Sequence, residues 1–234
     1  IYDEVASVWR TRTSYLEYLN KVNTNLKMLK GKKFVFFPLL TEPEIALHGN
    51  ASDFFFQLSA INLISRDLPS DYLLVVKEHI IAFGRRPRDF YTQINDLGNV
   101  VFASPTDLGL EYIKKSKAVA CITGTSALEA LVMGIPVISF SKYNTWNFLK
   151  HVYFVDKIED LSSIFLSINK ENYPNRKSME QGANFYKAYL DKYFEIADYN
   201  SLIPLASNVK KMPKFMHKIA EKFYKGLLIK LQQK

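Results

Sequence analysis

Apolar residues along this chain occur in two regimes: short continuous runs, and longer stretches in which they recur every three or four positions. From Asp3 to Lys30, residues Val5, Val8, Trp9, Tyr15, Leu16, Leu19, Val22, Leu26 and Leu29 follow the helical spacing, which predicts one helix, or two, before the break at Gly31. Phe34-Val35-Phe36-Phe37-Pro38-Leu39 then reads as a strand buried on both faces. The next helix is predicted over Ser52 to Asp67, with Ser52 as its N-cap, and is closed by Leu68-Pro69-Ser70-Asp71. Strand 72–76 follows, then a helix around Arg88 to Asp96, strand 100–102, helix 108–115, strand 118–122, helix 127–133 and strand 137–140. A further strand at 152–155 precedes helices near 158–168 and 176–193, and a last helix is predicted over about 213–231.

Strand and helix alternate from Phe34 onwards, and that rhythm belongs to a parallel, doubly wound α/β sheet of Rossmann-like type with helices on both faces. The division expected is an N-terminal helical segment over 1–31, the α/β domain over 32–170, and C-terminal helices over 171–234. Sheets of this kind bind ligands just outside the carboxyl ends of their strands. The loops that gather there are Leu40 to Asn50, Glu78 to Arg88, Ser104 to Thr106, Thr123 to Ser126 and Ser141 to Thr145.

Of these loops, Thr123-Gly124-Thr125-Ser126 carries the clearest chemistry. A glycine there lets a ligand approach the backbone, and the helix that follows presents free N–H groups and the positive end of its dipole to an anion such as a phosphate or diphosphate. Thr125 and Ser126 add hydroxyls, and Glu129, one turn along, can accept from a ribose hydroxyl. Read as architecture alone, Thr123 or Thr125 caps the helix and Glu129 is solvated. The turn is neither a Gly-Lys-Ser/Thr phosphate loop nor a Gly-x-Gly-x-x-Gly fingerprint, so ATP hydrolysis and hydride transfer lose support.

Strand 72–76 delivers Lys77, Glu78 and His79 to the same edge, with Arg85, Arg86 and Arg88 close behind; imidazole and guanidinium groups suit a phosphorylated or carboxylated ligand. Glu42 and Glu44 after the first strand form a carboxylate pair, one of which could orient a sugar hydroxyl or act as a base; exposed acids in a capped turn are the plainer reading of Glu42. His48 is placed in the same loop region, while His151 and His217 read as structural or exposed. The four histidines have no metal-ligand spacing.

Taken in order, these motifs resemble those of bacterial capsule and surface-polysaccharide glycosyltransferases of the two-domain GT-B type. The matching residues run from about Phe34 to Phe140: Pro38-Leu39 with Pro43-Glu44, Val76-Lys77-Glu78-His79, Gly84-Arg85 with Tyr91, Asn99-Val100, Thr123-Gly124-Thr125 with Glu129-Ala130, and Pro136-Val137-Ile138-Ser139-Phe140. Two positions depart from that pattern: Leu40 stands where such proteins have His, and Ile80 where they have Pro. The resemblance covers the C-terminal, donor-binding half only, so it implies an acceptor-side half preceding Ile1 and a nucleotide-sugar-binding piece with little activity by itself. It further implies metal-independent glycosyl transfer from a CMP- or UDP-linked sugar to a glycan or glycolipid acceptor. In that reading His79 and Glu44 are catalytic, and Lys77, Arg85, Thr123, Gly124, Thr125, Ser126 and Glu129 hold the donor. The alternatives are a glycerol-phosphate transferase with a CDP-linked donor, a nucleotide-sugar epimerase, and a non-catalytic scaffold, the last in keeping with Leu40 and Ile80.

Composition changes this picture in three places. With 48% hydrophobic residues in 234 the chain can bury one sizeable core, and a lone cysteine, Cys121, precludes an intrachain disulfide and a cysteine-rich metal site, which fits a reducing, cytoplasmic setting. Nothing in it approaches the run of about 20 apolar residues that spans a bilayer, and the start resembles neither a secretory signal nor an initiating Met, which suggests a fragment. The formal charge of +8 is uneven: Ser201 to Lys234 holds eight Lys against Glu221, leaving +1 for the rest. Charge so concentrated argues against nucleic acid as a partner. In the tail, Ile219, Ala220, Phe223, Leu227 and Leu231 form an apolar stripe opposite Lys214, Lys218, Lys222 and Lys225. Such a helix packs on its own domain, or lies on an anionic membrane surface as a peripheral contact at the inner membrane.

Overall fold

A computed structural model of the protein describes residues 2–42, 47, 49, 51–192 and 221. Contacts divide the chain into two compact units, 1–183 and 184–234, and the sheet belongs to the first. The basic tail, Glu44, His48 and His217 lie outside the described residues.

Seven parallel strands form one sheet among the described residues: β1 (Val22–Thr24), β2 (Lys33–Pro38), β3 (Tyr72–Lys77), β4 (Val100–Ala103), β5 (Ala118–Cys121), β6 (Val137–Ser139) and β7 (Val152–Phe154). Their order across the sheet is β1-β4-β3-β2-β5-β6-β7. After β1 at one edge, the chain enters the middle at β2, runs outward through β3 and β4, and returns to the other side of β2 to continue through β5, β6 and β7. The order therefore reverses between β2 and β5, and a doubly wound sheet leaves its ligand crevice at that reversal. β2 and β5, which flank it, are the most apolar strands: Phe34 to Phe37 and Ala118 to Cys121 are all buried. Helices cover both faces, and such strands lack the polar alternation of half-solvated ones.

The helices are α1 (Tyr2–Leu19), α2 (Gln57–Asp67), α3 (Phe90–Asn95), α4 (Gly109–Lys115), α5 (Thr125–Val132), α6 (Leu161–Lys170) and α7 (Arg176–Lys192). Val35 and Phe37 point to the layer that holds Ile61 and Ile64 of α2, Ile94 of α3 and Leu161 and Phe165 of α6. Phe36 points to the other layer, where its ring stacks on Tyr112 of α4 at 5.5 Å and α4 packs on α5.

Among the described residues, strands and helices from β2 onward fall within a few residues of the sequence expectation, and the doubly wound α/β sheet is the fold. The stretch before Gly31 is different: it is one helix followed by β1, a three-residue edge strand beside β4. Val22 continues the helical spacing of α1, but Asn23 accepts a hydrogen bond through its side chain from the Phe102 amide, and this pairing with β4 prevails over local periodicity. Ser52 opens a 3₁₀ turn, and Phe56 is the N-cap of α2.

Candidate functional site

The carboxyl ends of β2, β3, β5 and β6 are fastened together by side chains. Glu78, immediately after β3, is wholly buried and takes both arms of Arg86, with Nε to Oε2 at 2.7 Å and Nη2 to Oε1 at 2.8 Å. Tyr91 Oη donates to Oε2 at 2.8 Å, and the backbone N–H of His79 donates to Oε1 at 2.7 Å. Arg86 also reaches the loop after β2: Nη2 donates to Leu40 O at 2.6 Å, and Nη1 lies 3.4 Å from Glu42 Oε2. Glu42 Oε1 in turn accepts from the backbone and side-chain amides of Gln57 at 2.9 and 2.7 Å, and Gln57 brackets Leu40 by bonding both its N–H and its C=O. The guanidinium lies 4.9 Å from the Phe90 ring centre. Burial opposes the charge on Arg86, but its bonds to Glu78 and the field of Glu78 and Glu42 outweigh burial and raise its pKa. Tyr91 is raised as well, by burial first and then by the Glu78 charge.

This brace explains where the motif residues stand. His79 projects into solvent, its Nδ1 accepting from the Ile81 amide at 3.4 Å, which leaves Nε2 as the ring nitrogen that carries a proton. Lys77 is half-buried and donates to Pro105 O at 3.0 Å; burial lowers its pKa. Arg85 is exposed, next to the buried Arg86. Sequence reasoning singled out His79 and Arg85 and missed their neighbours Glu78 and Arg86 as an ion pair. The signal was available: both lie among Phe83, Phe90 and Tyr91, and charged residues set in an apolar neighbourhood pair with one another.

Across the reversal, α5 starts at Gly124, which has φ +109° and ψ 166° and supplies no side-chain cap. Neither Thr123 nor Thr125 takes that role: Thr123 is buried, Thr125 is exposed in the first turn and Ser126 is half-buried. The helix begins at the carboxyl edge of β5, and the Ala127 amide donates to Gly124 O at 3.4 Å. Glu129 is largely exposed one turn along, and partial burial raises its pKa. Leu40 overhangs this turn; a Cβ on Gly124 would lie 3.1 Å from Leu40 Cδ2. Asn144, buried in the loop after β6, fixes the neighbouring strand end by donating to Ile122 O at 2.8 Å and Ser139 Oγ at 2.9 Å.

Beyond Phe140 the edge opens into a cavity of about 530 Å³ between the segment preceding α2 and the ends of β6 and β7. Phe54 and Phe140 meet edge to face there, 4.9 Å between centres. Among the described residues no group of three or more His, Cys, Asp or Glu is gathered to hold a metal ion, and no helix is long and apolar enough to cross a membrane.

No protein-family model and no curated protein matches the chain. Among solved structures it is similar to the β-Kdo 2,7-transferase KpsC of Thermosulfurimonas dismutans, with 15% identity and a TM-score of 0.43 over 76% of this chain and 53% of that one. It is similar to a protein of Listeria monocytogenes named as a UDP-N-acetylglucosamine 2-epimerase, with 15% identity and a TM-score of 0.43 over 74% and 48%. A third is the spinosyn rhamnosyltransferase SpnG complexed with spinosyn aglycone, with 10% identity and a TM-score of 0.46 over 67% and 42%. The chain thus spans about half the length of these proteins or less. Two of the three are named as transferases and one as an epimerase, and likenesses this distant carry no statement about activity.

Proposed function

We propose that the chain is the donor-binding part of a glycosyltransferase of capsular or surface polysaccharide, taking a CMP- or UDP-linked sugar without a metal. The observation that carries this reading is the glycine-started, uncapped helix α5 at the reversal between β2 and β5. Its first-turn amides, with Thr123, Thr125 and Ser126, form a cradle for the nucleotide phosphates, where negative charge grows as the glycosidic bond to the donor breaks. His79 Nε2 stabilises the departing phosphate by donating to it; Arg85 and Lys77 add to the field from the same edge. Glu129 accepts from the ribose, and Glu44 orients the transferred sugar. An acceptor-side partner domain completes the enzyme.

One observation favours a second reading. An apolar side chain, Leu40, sits over Gly124 where a polar contact would serve a phosphate, and this suits a scaffold that keeps the fold without the chemistry.

Calorimetric titration with CMP, UDP, CDP, their sugar conjugates and CDP-glycerol separates the two. The expected outcome is saturable binding of one nucleotide, weakened about tenfold in both Glu129→Ala and His79→Ala, the loss that accompanies removal of one hydrogen bond involving a charged group. Binding that prefers CDP-glycerol would move the assignment to glycerol-phosphate transfer. Absence of binding by every nucleotide would leave the scaffold.

A further inference from the structure

The cavity past Phe140 is not part of the phosphate cradle. Its walls come from the segment leading into α2, from the turn at Ile158 leading into α6, and from the ends of β6 and β7, so it opens on the α2–α6 layer, whereas α5 belongs to the other. At about 530 Å³ it falls within the range of about 300–1,000 Å³ usual for small-ligand sites. Its lining combines four aromatic side chains, Phe54, Phe140, Tyr143 and Phe154, with the carboxylates of Asp53 and Asp156 and the ammonium of Lys142.

That combination selects a chemistry. Two carboxylates against one ammonium give the described lining a net negative charge, which repels a phosphate or carboxylate and sets the cavity apart from the α5 cradle. Lys142 stands 5.0 Å over the Tyr143 ring at the wall and supplies the positive charge of the lining. An uncharged ring with C–H groups on its faces and hydroxyls on its rim satisfies both features: the aromatic faces, negative at their centres, take the C–H groups, and the carboxylates accept from the hydroxyls.

We propose that this cavity holds a neutral pyranose residue of the acceptor glycan, so that the donor-binding part also grips the second substrate. The choice of ligand rests on the sugar-transfer reading above. Asp53 and Asp156 bond the hydroxyls, and Phe54 is the platform.

Ligand-observed NMR on the protein tests this with the methyl pyranosides of glucose, galactose and N-acetylglucosamine and with maltose, lactose and chitobiose. At least one is expected to bind saturably, with or without nucleotide present. Affinity is expected to fall about tenfold in Asp53→Asn and in Asp156→Asn, since each removes a charge-assisted hydrogen bond, and to fall in Phe54→Leu, which keeps apolar volume and loses the aromatic face. Both aspartates are exposed, and folding of the variants is checked by circular dichroism. No binding by any of the six glycosides, unchanged binding in the aspartate variants, or competition between glycoside and nucleotide each overturns the proposal; so does a loss of bare-nucleotide or nucleotide-sugar affinity in Asp156→Asn. Nucleotide titration of the unaltered protein reports on the sugar-transfer reading separately. Nucleotide binding without glycoside binding leaves that reading standing and removes the cavity assignment; glycoside binding without nucleotide binding does the reverse.

Discussion

Glu78 and Arg86 show what a single charge costs when it is taken out of water. Both side chains are within 1% of complete burial, and each satisfies the other through two hydrogen bonds. Removing one partner leaves the other charged, buried and unpaired, a loss of about 3–5 kcal/mol in comparable pairs. Glu78→Gln and Arg86→Met are each expected to lower unfolding stability by that order in urea titrations. The double variant is expected to recover part of the loss, because Glu78 is no longer left as an unpaired charge, while Glu42 still loses its cation; equal and additive losses would show that the pair is not coupled. Arg86→Lys is expected to lose less than the methionine variant, since it keeps a cation beside Glu78, but an ammonium cannot bond Glu78 twice and reach Leu40 O as well. This is also where the sequence was least readable. The run Val-Lys-Glu-His at a strand end names four residues for one edge, and only packing decides that the glutamate turns inward to Arg86 and Tyr91 while the histidine turns out.

At the scale of elements, α5 and α7 meet at a point where only glycine fits. A Cβ on Gly182 would overlap the carbonyl of Leu131, and Gly134, at φ +70°, lies under Ser178, whose hydroxyl donates to Gly134 O at 2.8 Å. An alanine in mid-helix is ordinarily favourable over glycine by about 1 kcal/mol. Gly182→Ala is nevertheless expected to destabilise, by about 1–3 kcal/mol, because the α7 backbone must move off α5. A stabilised variant in urea unfolding would mean that the two helices are not packed as described. β2 to β7 and α2 to α6 were legible because continuous apolar runs and helical periodicity differ strongly in this chain. β1 was not, since three residues at a sheet edge leave no periodicity of their own and owe their conformation to β4. The start of α2 likewise depended on tertiary contact: Gln57 gives its amides to Glu42, so the helix begins there and not at Ser52.

For the molecule as a whole, the reversal of strand order between β2 and β5 puts the most buried part of the sheet directly beneath the crevice. Cys121 ends β5 at this point, buried, with burial alone pushing its thiol up to about 12. It is expected to resist thiol reagents in the folded protein and to react at the rate of global unfolding, because no smaller opening uncovers a central strand. Rapid labelling under native conditions would show that the sheet opens locally at the reversal. The loops at the carboxyl edge were readable from the order of motifs, whereas the division of the α5 start and the cavity between opposite layers of the sheet was not. That division arises from which face each loop leaves the sheet on.

The brace of Glu42, Gln57, Glu78 and Arg86 has a bearing on how such a protein can change over generations. It grips the loops after β2 and β3 at their roots, through groups that no ligand reaches. The stretch between His79 and Arg85 is flanked by Glu78 and Arg86, which bond each other. Substitutions and insertions there can alter what the crevice accepts while the architecture is inherited intact, so lineages sharing this frame can diverge in substrate with few compensating changes in the core.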